Sequence, residues 1–121
     1  MDIHLDDGVS DEEYLRKLGE ACRTAIPLFK PEIVFYVAGA DPYCEDQLGG
    51  LNLSMDGLKE RDRLVMEAAL VENSPVAITL AGGYAYKVED TVHIHAATAL
   101  EAEAVLSGSA WGGMGKLPDH T

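Results

Sequence analysis

The apolar positions of this chain fall into two kinds of stretch. Between Ser10 and Pro31, the residues Leu15, Leu18, Cys22, Ala25 and Phe29 return at steps of three and four, which is the spacing of one helix face. Ser10, with Glu13 three residues on, reads as a capping box at the start of this helix, and Pro27 and Pro31 mark its end. The stretch "EIVFYVA" at 32–38 differs, being apolar almost without alternation, as a strand buried on both faces of a parallel sheet reads. "PVAITLAGGY" at 75–84 predicts another strand, ending in a glycine pair. Between the two, a helix is predicted over 57–72, capped by Ser54, with Leu58, Val65 and Ala69 facing inward. A last helix is predicted over 88–105, with Val88, Val92, Ala96 and Ala99 inward, and "DIHL" at 2–5 is a short strand candidate at the front.

The resulting order is strand, helix, strand, helix, strand, helix. Such alternation predicts an α/β fold, a parallel sheet with helices on both faces joined by right-handed crossovers. Ligand sites in such sheets lie beyond the carboxyl ends of the strands. Asp41 and the turn Gly82-Gly83-Tyr84 both fall there, on different strands. Asp62 is an oddity, since it shares the inward face of the second helix and a buried acid needs a partner; it belongs either to a loop cap or to a polar network.

Composition narrows the function classes. The 121 residues make one domain or part of one, 47% hydrophobic and 25% charged, with enough length to bury a core without staples. The formal net charge is −12, from 21 acids against 9 bases, and such a field repels a phosphate backbone, which argues against nucleic acid as a direct partner. Cys22 and Cys44 have no metal-type spacing and read as reduced thiols, no stretch is long and apolar enough to span a membrane, and the opening residues do not read as a secretory signal, so a cytoplasmic location is expected. Residues 1–106 carry the elements; 107–121, "SGSAWGGMGKLPDHT", are rich in glycine without periodicity and are expected to form a poorly ordered tail.

Several kinds of chemistry fit the residues themselves. An acid in the place of Asp41 ligates a cation, accepts a phosphoryl group, or caps the next helix. Two glycines before Tyr84 let the backbone turn sharply and leave the phenol at the rim. His93 and His95, two apart on a helix, point to different faces and do not share a metal. Asp2 and His4 alternate as two ligands on one side of a strand would. Asp6, Asp7, Asp41 and Lys87 also resemble the acid pair, phosphoryl acceptor and lysine of a receiver domain, although receivers need five strands and this chain shows three. A non-catalytic α/β binding module stays open beside both.

Taken together, "DGVSDEEYL", "PEIVFYVAGADPYCEDQLGGLNLSMDGLKERD" and "PVAITLAGGYAYKVEDTVHIHAAT" resemble the C-terminal part of a histone-deacetylase-family protein, nearest to its bacterial and class IV branch. The resemblance spans about residues 2 to 98, in three blocks that keep the family's order. It implies the C-terminal half of an arginase/deacetylase-like fold and a zinc-dependent hydrolase acting on acyl amides of the acetyl-lysine or acetylpolyamine type. By the resemblance, Asp41 is one of three zinc ligands and Tyr84 polarises the substrate carbonyl. Gly39 belongs to the "GAD" turn, Gly82 and Gly83 to the turn before the tyrosine, Asp46 and Gly49 to the "D-x-L-G" loop, and Asp62 to an "R-D" pair of structural character. The family's other two zinc ligands and its adjacent histidines have no counterpart here, as the sequence contains no His-His. The chain by itself is therefore expected to be inactive and to hold zinc weakly or not at all, with a rearranged set of Asp2, His4 and Asp41 as the exception to test. A half-sheet also leaves an open edge, so pairing with a missing N-terminal half, or self-association, is expected.

Overall fold

The structure, a computed structural model, describes residues 1–108. Its elements are helix α1 (Asp11–Phe29), strand β1 (Val34–Ala38), helix α2 (Met55–Val71), strand β2 (Val76–Leu80) and helix α3 (Val88–Leu106). β1 and β2 pair in parallel, with Val34 opposite Val76 and Ala38 opposite Leu80. Parallel neighbours need a crossover, and α2 provides it. The fold is α/β, as the alternation predicts. α2 lies at the centre of the helical layer, packing against α1, α3 and β1.

The front of the chain departs from expectation. Residues 2–5 form no strand, and Asp2, Ile3 and His4 are exposed. A strand needs a neighbour to take its amides and carbonyls, and pairing begins only further on. There the Gly8 amide donates to the Gly50 carbonyl at 2.6 Å and the Asn52 amide to the Val9 carbonyl at 2.9 Å. These bonds seat Val9 in the interior and lay the residues ahead of α1 along the 50–52 loop.

The start of α1 is also built differently. Ser10 is the N-cap residue but makes no side-chain cap bond, so the predicted capping box is absent. Asp11 reaches across to the other helix start instead, accepting from the Ser54 amide at 2.8 Å and from its hydroxyl at 2.5 Å. Ser54 in turn caps α2 as expected, its oxygen accepting from the Gly57 amide at 2.9 Å. One carboxylate thus ties two helix N-termini together, where negative charge is favoured. At the far end Lys30, in the left-handed conformation at φ 45°, closes α1 with its amide on the Ile26 carbonyl.

Burial separates the faces. On α2, Leu58, Val65 and Ala69 are buried as predicted, and Asp62 is buried among them. On α3 the predicted face is wrong: Ile94, Thr98 and Val105 face inward, while Val88, Val92, Ala96 and Ala99 are exposed. Apolar and polar residues are mixed around α3, so periodicity singles out no face and contact with α2 decides. On α1, Leu15, Leu18, Cys22 and Ala25 are half-buried and Phe29 is exposed.

The sheet has one covered face, that of Tyr36 and Ile78. Near the start of β2 this side is roofed by α2 and α3 over a small cavity of about 150 Å³ between Met66, Leu70, Val76, Ile78 and Val105. On the other face Phe35 is 70% and Val37 66% exposed, so the helices expected there are not among the described residues. The expected tail lies, from residue 109 on, outside the described residues.

Candidate functional site

Beyond the carboxyl ends of β1 and β2, two turns meet. The first, Gly39-Ala40-Asp41, leaves β1; the second, Gly82-Gly83-Tyr84, follows β2. The Ala40 amide donates to the Gly82 carbonyl at 2.7 Å, which joins them directly. Ala40 and Ala85 sit in the buried core cluster with Tyr43, Leu53, Leu58 and Ile94. These alanines are the immediate neighbours of Asp41 and Tyr84. Seating them inward leaves both functional candidates at the surface, where Asp41 is exposed and Tyr84 is 61% exposed.

Asp46 is the clasp between loop and turn. One carboxylate oxygen accepts the amides of Leu48 and Gly49, both at 2.8 Å, and the other accepts the Tyr84 amide at 2.7 Å. Burial would push this carboxyl up; the three amides outweigh it and hold it below the usual carboxylate range. The Tyr84 carbonyl accepts from the Gln47 amide at 2.9 Å, so the tyrosine's backbone is held from both sides by the 46–47 loop.

The glycines of the resemblance have distinct jobs. A Cβ on Gly49 would stand 2.0 Å from the Asp41 carbonyl oxygen, and one on Gly83 would stand 2.7 Å from the Cβ of Ala40. A Cβ on Gly39 would meet the Asp41 carboxylate itself at 2.5 Å. Gly82 has nothing within 4 Å of that position, so its lack of a side chain is not demanded by packing among the described residues.

Asp62 resolves into a polar network, one of its two expected forms. Its carboxylate accepts from the Tyr36 hydroxyl, from Thr98 at 2.5 Å, and from Arg61 Nε and Nη2 at 3.0 and 2.9 Å. Sequence reasoning had Arg61 only as the arginine of the "R-D" pair, and passed over Tyr36 and Thr98. The signal available was the inward acid itself, which demands a cation and donors, with an arginine as its neighbour. Arg61 Nη1 also donates to the Gly39 carbonyl at 2.5 Å, and the guanidinium stands 5.7 Å from the centre of the Tyr36 ring.

Asp2 and His4 are not brought to Asp41. Among the described residues no three His, Cys, Asp or Glu side chains gather where one ion reaches them all, and His4 instead faces Asp6 at 3.4 Å on the surface. Asp41 offers one carboxylate, whereas a catalytic zinc takes three protein ligands. These residues do not form a zinc site by themselves. Cys22 and Cys44 are free thiols, and burial pushes that of Cys22 up. No helix among the described residues is long and apolar enough to cross a membrane.

In α/β sheets ligands bind beyond the carboxyl ends of the strands, which is where Asp41 and Tyr84 stand. Residues 1–100 match the histone deacetylase domain, and the chain belongs to that family. It is 38% identical over 95 residues to an uncharacterized protein of Picosynechococcus sp., a match covering 78% of this chain and 32% of the relative. It is 42% identical over 82 residues to histone deacetylase 2 of Arabidopsis thaliana, covering 68% of this chain and 21% of that protein. Histone deacetylase 9 of the same plant is 30% identical over 84 residues, which cover 69% of this chain and 19% of the relative. The chain therefore spans about a third or less of the relatives it matches.

Proposed function

We propose that this chain is the segment of a zinc-dependent deacetylase domain that carries one metal ligand, Asp41, and the carbonyl-polarising hydroxyl, Tyr84. The observation that carries this reading is the joining of the two turns by the Ala40–Gly82 bond, with Asp46 clasping the Tyr84 amide. An acid and a phenol that leave one rigid junction towards solvent can address one carbonyl group. When bound, zinc supplies a Lewis acid and lowers the pKa of a water molecule. Tyr84 donates its hydroxyl proton as a hydrogen bond to the acyl oxygen while negative charge develops there, which lowers the barrier to the tetrahedral state. With no adjacent histidines in the sequence, the base that activates water comes from another polypeptide segment.

The substrate class is an acylated amine such as acetyl-lysine, and the partner is the rest of a deacetylase domain, which would add strands beside β1 or β2 and cover Phe35 and Val37. A cytoplasmic setting accords with two free thiols. Co-expression of this chain with the portion of Arabidopsis histone deacetylase 2 outside its matched segment tests the reading. The expected result is zinc-dependent release of acetate from an acetyl-lysine peptide, with loss of turnover in Asp41→Asn. Tyr84→Phe should lower kcat by about 10²–10³-fold, the loss of one oxyanion donor. A stable complex without turnover would defeat the catalytic reading and leave the binding module. Labelling of Asp41 by acetyl phosphate would favour the phosphoacceptor.

A further inference from the structure

We infer that Arg61 is a positioning residue, which sets the Asp41 turn against the Tyr84 turn through the Gly39 carbonyl; the functional weight of this rests on the deacetylase reading above. Arg61 is 3% exposed, and its planar fork divides between two tasks. Nε and Nη2 both go to Asp62, at 3.0 and 2.9 Å, and fix the plane of the guanidinium. Nη1 goes to the Gly39 carbonyl at 2.5 Å, two residues before Asp41. Burial pushes the Tyr14 phenol up, and the nearby Arg61 guanidinium works against that rise.

The orientation of this fork is over-determined. Asp62 is held on its other oxygen by Thr98 of α3 and on the shared oxygen by Tyr36 of β1. Three elements thus agree on where Asp62 stands, Asp62 aims Arg61, and Arg61 anchors the carbonyl at which the chain leaves β1. From there the Ala40 amide reaches Gly82 at 2.7 Å and passes the constraint to the second turn. A fork with separated donors does this and an ammonium does not, because one point charge cannot serve Asp62 and Gly39 in two directions with fixed geometry.

Amide hydrogen exchange of the whole ¹⁵N-labelled chain, read by NMR for Arg61→Lys and Thr98→Val, separates positioning from general support. Arg61→Lys keeps a cation beside Asp62 and loses the fork. The expected result is exchange of the Ala40 and Tyr84 amides faster by about tenfold or more, a local opening, with the Val65 and Met66 amides of α2 unchanged. Thr98→Val removes one of the holds on Asp62 but keeps the Arg61 fork and its bond to Gly39, and should accelerate the Ala40 and Tyr84 amides far less than Arg61→Lys does. Equal acceleration in both variants, or no acceleration in Arg61→Lys, would overturn the inference. So would Ala40 and Tyr84 amides that exchange in the unaltered chain as fast as in a peptide. Because this readout involves neither zinc nor substrate, its failure is distinct from failure of the deacetylase reading, which the turnover experiment decides.

Discussion

Asp46 holds the loop and the tyrosine turn together through backbone amides alone. Its two oxygens take three amides, at 2.7 to 2.8 Å, and its partners span the 46–49 loop and the Tyr84 turn. A carboxyl held below its ordinary value contributes stability that is fully present above the unfolded value, about 3.9. That contribution is lost as pH falls through the lower folded value. Urea titrations at pH 7 and pH 3 should therefore show a loss on acidification that is smaller in Asp46→Asn. At pH 7 the same variant, which turns an NH₂ towards an amide donor, should be less stable by about 1–3 kcal/mol. Glycine substitutions sharpen the residue-scale argument. Gly49→Ala meets backbone at 2.0 Å and Gly82→Ala meets nothing within 4 Å. The first should lower the urea midpoint clearly, by about 1–3 kcal/mol of overpacking, and the second should leave it nearly unchanged.

At the scale of elements, the joint between α1 and α2 is the feature most open to test. Asp11, Ser54 and Gly57 form one chain of contacts in which a Cβ on Gly57 would strike the Asp11 carboxylate at 2.0 Å. Removing the cap in Ser54→Ala should cost about 1 kcal/mol, the ordinary value of a lost N-cap. Asp11→Ala should cost less, since Ser54 still caps α2. Thermal melts of the two variants and the double variant would show non-additive losses, because both act on the same contact. The element boundaries were well legible in the sequence, since caps, prolines and apolar runs are local signals. The inward face of α3 was not, because a helix whose apolar residues are spread around its circumference takes its orientation from whatever it packs against. The missing strand at 2–5 has the same origin: alternation permits a strand, and only a partner strand makes one.

Over the whole molecule, the sheet is finished on one side only. Phe35 and Val37 stand 70% and 66% exposed on the uncovered face, in a sheet whose outer edges pair with no further strand among the described residues. Unpaired edges with apolar neighbours favour association. In size-exclusion chromatography the apparent mass of the chain should rise with concentration. The double variant Phe35→Glu, Val37→Glu should suppress that rise, since both side chains face solvent and their change removes no contact with the helical layer. An apparent mass that stays at the monomer value for the parent chain at every concentration would count against an open interface.

What the sequence determined by itself was the three helices and the two strands between them, the α/β alternation, and the oddity of Asp41, Tyr84 and Asp62, while the resemblance added Asp46. The elements and the oddities follow from local chemistry, namely turn residues, caps and an acid placed where apolar residues belong, and the site roles from the resemblance. The tertiary structure alone decided which groups meet. It put Arg61 on the Gly39 carbonyl, Asp46 on the Tyr84 amide and Ala40 on Gly82, contacts between residues 22 to 42 positions apart. Spacing along a chain carries no record of such contacts, because they arise only when α2 carries β2 back beside β1 and brings two strand ends together.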